Sequence, residues 1–157
     1  MRAEWINPFL KAALSVFHSF GFEVERGDLR LCHSPMSGHE VNVAIGVAGD
    51  LQGQVIVGME TDTALDVARA MIPWGVSEFD EVARSSIAEL TNMLCGNAVS
   101  HASELGISAH LSVPSLFLGK EVEISTGGLP SLVIPLRLRT ATGKGTGEVD
   151  MTVLLLE

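Results

Sequence analysis

Residues 77–105 read SEFDEVARSSIAELTNMLCGNAVSHASEL, and their periodicity decides the fold. Proline is absent from the stretch. At 3.6 residues per turn, Ala83, Ile87, Leu90, Leu94, Ala98 and Leu105 fall on one side. The pattern predicts one long helix, Ser77–Leu105, with that stripe facing a core. Ser77 is the expected cap, Asp80 takes the capping-box position, and Gly106 is the stop. His101 lies on the core stripe and is expected to be a hydrogen-bonded buried histidine. Cys95 is expected to be a buried thiol.

The opposite side carries the chemistry. Ser85, Glu89 and Asn92 fall within about 60° of each other on the helix surface. Gly96 follows one turn after Asn92 on the same stripe. Glycine costs about 1 kcal/mol in a helix interior, so its position asks for a reason. One reason is that it removes a side chain where another molecule must approach. A carboxylate and a carboxamide one turn apart, beside a smooth glycine surface, can grip a partner and position a water. On spacing alone a solvated polar face is the favoured reading.

Working outward, Asn7-Pro8 predicts the start of a first helix, Pro8–Phe20, with Asn7 as cap, proline at the first helical position and Gly21 at the end. Glu23–Leu31 reads as a strand and Cys32–Glu40 as a polar loop. Val41–Ala48 and Gln54–Met59 read as strands joined by Gly49-Asp50-Leu51-Gln52-Gly53. Thr61–Ile72 reads as a second helix, capped by Thr61 or Asp62 and broken by Pro73-Trp74-Gly75. Short strands are expected at Ile107–Val113 and Leu116–Leu118. Ser131–Thr140 and Glu148–Leu156 form a closing hairpin around Gly143-Lys144-Gly145-Thr146-Gly147. That turn lacks the spacing of a phosphate-binding loop. The expected architecture is α+β, with long helices layered on antiparallel sheet in one domain spanning 1–157.

Composition excludes several function classes. The chain has 157 residues, enough for one domain with a real core, and 46% of them are hydrophobic. A formal net charge of −9, few aromatics and no tyrosine argue against nucleic acid and anionic lipid as partners. No apolar run approaches the roughly 20 residues of a membrane span. Two cysteines, Cys32 and Cys95, without a secretion signal point to the cytoplasm. Cys32-His33 and His39 match no common zinc spacing, so no residue is assigned to a metal.

The stretch Ala88-Glu89-Leu90-Thr91-Asn92-Met93-Leu94-Cys95-Gly96-Asn97-Ala98, preceded by Ser85, resembles the signature helix of the CheC/CheX/FliY phosphatases, and of the CheX branch in particular. Ile6-Asn7-Pro8-Phe9, Gly49-Asp50-Leu51-Gln52-Gly53 and Pro114 extend the resemblance over nearly the whole chain. It implies a pseudo-duplicated CheC-like fold and hydrolysis of the aspartyl phosphate on a CheY-like response regulator. It also implies a homodimer built by pairing or exchanging strands, in which Met151–Leu156 could take part. Glu89 and Asn92 are then the catalytic pair. Asn92 positions the attacking water, and Glu89 pairs with a regulator lysine or, less favourably, serves as a general base. Ser85 and Gly96 contact the partner. No cofactor of its own is expected, the divalent metal (Mg²⁺) being supplied by the phosphorylated partner. The CheC relatives carry the motif on both long helices. Glu4-x-x-Asn7 reads as a chance copy because Pro8 biases Asn7 away from helical geometry, so one site per chain is expected. The competing reading is a non-catalytic module that sequesters the regulator, which needs the surface but not the carboxamide.

Overall fold

The computed structural model describes residues 2–33, 36–140 and 145–156. Three helices, α1 (Ala3–Ser19), α2 (Thr61–Met71) and α3 (Glu81–Glu104), pack on an antiparallel sheet. Its strands are β1 (Phe22–Arg26), β2 (Arg30–Cys32), β4 (Val41–Gly49), β5 (Gln52–Met59), β6 (Ala109–Leu111), β7 (Ser115–Leu118), β9 (Ser131–Thr140) and β10 (Thr146–Leu156). The main path is β1-β9-β10-β5-β4-β6; β2 pairs with β9 and β7 with β4. A small ribbon of β3 (Met36–Ser37) and β8 (Glu123–Ile124) stands apart.

Strand alternation sets the two sheet faces. Val43, Ile45, Val55, Val57, Met151, Val153 and Leu136 point inward and are buried with Phe9, Phe17, Ile87, Leu90 and Leu94 of the helices. Asn42, Ile56, Gly58, Asp150 and Thr152 point to the other face, where they line a cleft of about 460 Å³. The predicted hairpin registers with Val149 opposite Leu136 and Met151 opposite Ile134, which places both strands' apolar residues on the core side. Of its expected turn, Gly143 and Lys144 lie outside the described residues, and β10 begins at Thr146.

The Gly49–Gly53 segment resembles the family because the fold needs it. Gly49 has φ +110, and a Cβ there would lie 2.7 Å from the Ser108 carbonyl oxygen. Asp50 Oδ2 accepts from the Ser108 N–H at 2.8 Å, and the Asp50 N–H donates to the Ser108 carbonyl at 2.8 Å. The turn thereby anchors the chain leaving α3. A Cβ on Gly53 would collide with the Leu154 carbonyl of β10.

Several boundaries differ from the sequence reading. The helix α1 begins at Ala3, with Arg2 as N-cap and Pro8 inside it. Trp5 and Ile6 are buried, at 9% and 6% exposure. Burying two such side chains is worth about 1.5–3 kcal/mol each, which outweighs the roughly 3 kcal/mol cost of an interior proline. Asn7 is therefore helical. The helix α3 starts at Glu81, because Asp80 and not Ser77 is its cap: Asp80 Oδ1 accepts from the Ala83 N–H at 3.0 Å. Leu105 ends that helix as its C-cap and is 61% exposed, off the core stripe. The helix α2 has Glu60 as N-cap, and Glu40, just before β4, accepts from the Thr61 N–H at 3.1 Å. That bond holds the Glu40 carboxyl below the usual carboxylate range. The strand expected at Glu23–Leu31 is split into β1 and β2. The strand β10 lies between β5 and β9: residues 149–156 pair with β5 and residues 146–153 with β9, so Leu154–Leu156 are paired on one side.

Candidate active site

The helix α3 presents the four residues singled out from the sequence on one face. Ser85, Glu89 and Asn92 are exposed and Gly96 is half-buried. Behind them Ile87, Leu90, Thr91, Leu94 and Cys95 are buried. The Thr91 hydroxyl donates to the Ile87 carbonyl at 3.0 Å, which satisfies the one buried polar side chain of this helix. Burial pushes the Cys95 thiol up to about 12, so it stays protonated and takes no part in chemistry at neutral pH.

No side-chain hydrogen bond or ion pair holds Glu89 or Asn92 to the described residues of the chain. Both groups are thus unengaged and face solvent. A Cβ built on Gly96 meets no heavy atom within 4 Å. This glycine is not required by packing, nor by its backbone conformation, since it is absent from the positive-φ residues. The stripe continues one turn back to Val82, which is 51% exposed. The face is an open carboxylate–carboxamide pair, flanked by an apolar group on one side and bare backbone on the other.

The remaining candidates do other work. His39, expected in a polar loop, is fixed: Nδ1 lies 2.9 Å from Glu60 Oε1 and Nε2 lies 2.8 Å from Asp150 Oδ2. Two carboxylates facing both ring nitrogens require the imidazolium, in which each nitrogen donates. The Asp150 hydrogen bond, with that of Glu60, raises the His39 pKa above its ordinary value despite burial. The ring crosses Gly58, where a Cβ would lie 2.6 Å from His39 Cδ2. Buried Asn42 holds the loop, accepting from the His39 N–H at 2.9 Å and donating to its carbonyl at 2.6 Å. The sequence signal was a glycine near the end of β5, at Gly58, which marks a close approach. Nothing in the sequence told which residue approached. Cys32 is a half-buried free thiol. Among the described residues, no group of three or more His, Cys, Asp or Glu could hold a metal ion. His101 is half-buried and lines a groove of about 410 Å³ between the end of α3 and the start of α1.

Helices on one face of an antiparallel sheet, with an exposed Glu/Asn stripe on the longest of them, define a CheC-like protein. The family profile described as "Chemotaxis phosphatase CheX" matches residues 41–137, more than half of the chain. The chain belongs to that family. It is 30% identical over 92 residues to the CheY-P phosphatase CheX of Thermotoga maritima, across 58% of this chain and 59% of that relative. The aligned stretch thus spans less than two thirds of the relative's length. Two solved structures share the fold over nearly all of both chains. One is a CheC-like superfamily protein from Shewanella sp. PV-4, with TM-score 0.79, 23% identity, and 100% of each chain covered. The other is the CheX–CheY–BeF3–Mg complex from Borrelia burgdorferi, with TM-score 0.77, 25% identity, and 99% of this chain and 100% of that chain covered. No described helix is long and apolar enough to cross a membrane.

Proposed function

We propose that this chain is a protein aspartyl-phosphate phosphatase acting on a CheY-like response regulator. The observation that carries the reading is the open Ser85–Glu89–Asn92–Gly96 face of α3 in a member of the CheX family. Hydrolysis of an aspartyl phosphate passes through a loose transition state, so catalysis rests on positioning and electrostatics. The regulator brings its own Mg²⁺ and lysine, and this chain brings no cofactor. What it adds is order in the water. The Asn92 carboxamide accepts one hydrogen bond from the attacking water and donates another, with no titration near neutral pH. Glu89 pairs with the regulator lysine and sets the angle at which the two sites meet. Ser85 contacts the rim, and Gly96 lets the regulator backbone approach.

The protein is read as cytoplasmic and dimeric. The dimer contact is read as a pairing of strand edges, for which β1, the β6 and β7 side, where Phe117 and Leu118 are exposed, and Leu154–Leu156 of β10 are the candidates. Phosphate release from a panel of phosphorylated regulators, with and without this chain, tests the activity. Acceleration for at least one regulator is expected, and no acceleration for any would end the reading. Asn92→Ala should abolish most of the acceleration and leave regulator binding nearly intact. Full activity in that variant would show that another group orders the water.

A further inference from the structure

The polar face of α3 carries one open apolar side chain. Seven residues turn an α-helix through almost two full circles, so Val82, Glu89 and Gly96 lie within about 40° of one line, each about 10.5 Å beyond the last. Val82 is 51% exposed, and among the described residues it is the one exposed large hydrophobic of α3. Neither the helix nor the core accounts for it. At the second residue of a helix a carboxylate gains from the positive end of the dipole, and a valine gains nothing. Val82 takes no part in the hydrophobic core, although Ala83 beside it is fully buried. The turn that carries it is fixed: Asp80 Oδ1 accepts from the Ala83 N–H at 3.0 Å, and the Ser86 hydroxyl donates to the Val82 carbonyl at 3.0 Å. That second bond ties Ser86 back to the backbone. Ser85 is as short, so two small side chains separate Val82 from Glu89 and leave it standing proud of the face.

A regulator docked on Glu89 and Asn92 covers this valine. An ordinary interface takes about 800 Å² per partner, a disc of about 16 Å radius. Centred on Asn92, the disc reaches Val82, which lies about 15 Å away along the helix. Glu78, Asp80 and Glu81 are exposed around it, so the ground beside the valine is acidic. We propose that Val82 selects the regulator, by receiving an apolar side chain that stands about 10 Å from the lysine paired with Glu89. The inference rests on the α3 reading above. A regulator with an acidic residue at that place is refused twice, by loss of the apolar contact and by the three carboxylates. One with an uncharged polar residue there must bury it unpaired against the valine methyls. Val82 does no chemistry. It binds ground state and transition state alike, so its effect falls on KM and not on kcat.

The test uses a phosphorylated regulator whose phosphate release the wild-type chain accelerates. Val82→Ala should raise KM about fivefold and Val82→Glu about thirtyfold, each with kcat within about twofold of wild type. Both variants should melt within about 2 °C of wild type, because the side chain is exposed. Leu129→Glu makes the same charge change at an exposed position between β8 and β9, and should leave KM and kcat unchanged. A lysine placed in turn at each exposed apolar position about 8–13 Å from the regulator lysine should, at one of them, restore the KM of Val82→Glu to within about threefold of wild type. An unchanged KM in Val82→Glu overturns the inference and leaves the α3 reading standing. So does a fall in kcat at constant KM, an equal rise in KM for Leu129→Glu, a marked drop in the melting point of Val82→Ala, or the lack of any rescuing position. Failure of the wild-type chain to accelerate release from any regulator strikes the α3 reading instead, and this inference falls with it.

Discussion

Gly96→Ala separates stability from activity, and both effects follow from the geometry. The glycine lies inside α3, whose 24 residues run from Glu81 to Glu104 in nearly seven turns. Among the described residues, no heavy atom beyond the adjoining helix backbone stands within 4 Å of the site its Cβ would take, so alanine meets no clash. What remains is intrinsic propensity, which favours alanine by about 0.5–1 kcal/mol in a helix interior. For a domain of this size each 1 kcal/mol shifts the melting point by roughly 2–4 °C. Gly96→Ala should therefore melt about 1–4 °C higher. Turnover should move the other way. A methyl group on the docking face displaces the regulator by a fraction of an ångström to an ångström, and misplacement of about 1 Å can cost roughly 100-fold in rate. We expect a loss of roughly tenfold in kcat/KM for Gly96→Ala and roughly 100-fold for Gly96→Leu. Differential scanning calorimetry and a phosphate-release assay on the two variants decide the matter. Full activity in both would mean that the docking face is centred elsewhere. A lower melting point for the alanine variant would refute the open-space argument itself.

Three further outcomes are expected. Both Glu89→Ala and Glu89→Gln should weaken docking, and a double-mutant cycle with the regulator lysine should show coupling of about 1 kcal/mol or more; intact binding with lost turnover would favour a general-base role. His39 contributes stability that is fully present below its unfolded pKa and is lost as pH rises through its raised folded value. Melts from pH 6 to pH 9 should thus show a loss of stability that His39→Gln lacks, and parallel curves for the two proteins would refute the charged bridge. Asp80→Ala removes the side-chain cap of α3 and should cost about 1 kcal/mol in denaturant unfolding, whereas Ser77→Ala should cost little.

The signature helix was legible because its period, its polar stripe and its glycine stop all lie within one local stretch. The strands Val41–Gly49 and Ser131–Thr140 were legible for the same reason, since their alternation or continuous apolar character needs no partner to be read. The start of α1 was misread. A rule about proline at the first helical turn is local, whereas the pull of Trp5 and Ile6 into the core is not. That error also placed Asn7 outside the helix. His39 escaped for a related reason: its two carboxylate partners come from the start of α2 and from β10, and no local pattern joins them. The pairing of Met36–Ser37 with Glu123–Ile124 is too short to leave a periodic trace.

The order β1-β9-β10-β5 has a consequence for how the chain is made. Residues 22–32 leave the ribosome early, yet they can pair only with β9, which is synthesised a hundred or so residues later at roughly 5–20 residues per second. Until residues 131–156 exist, β1 and β2 have no neighbour, and one edge of β5 lies bare. Most of the sheet's contacts are therefore long-range in sequence, which places this fold among the slower folders. The nascent chain must carry unpaired strand edges for several seconds. The β9–β10 hairpin sits between β1 and β5, so the edges left bare during synthesis are covered only once residues 131–156 have emerged.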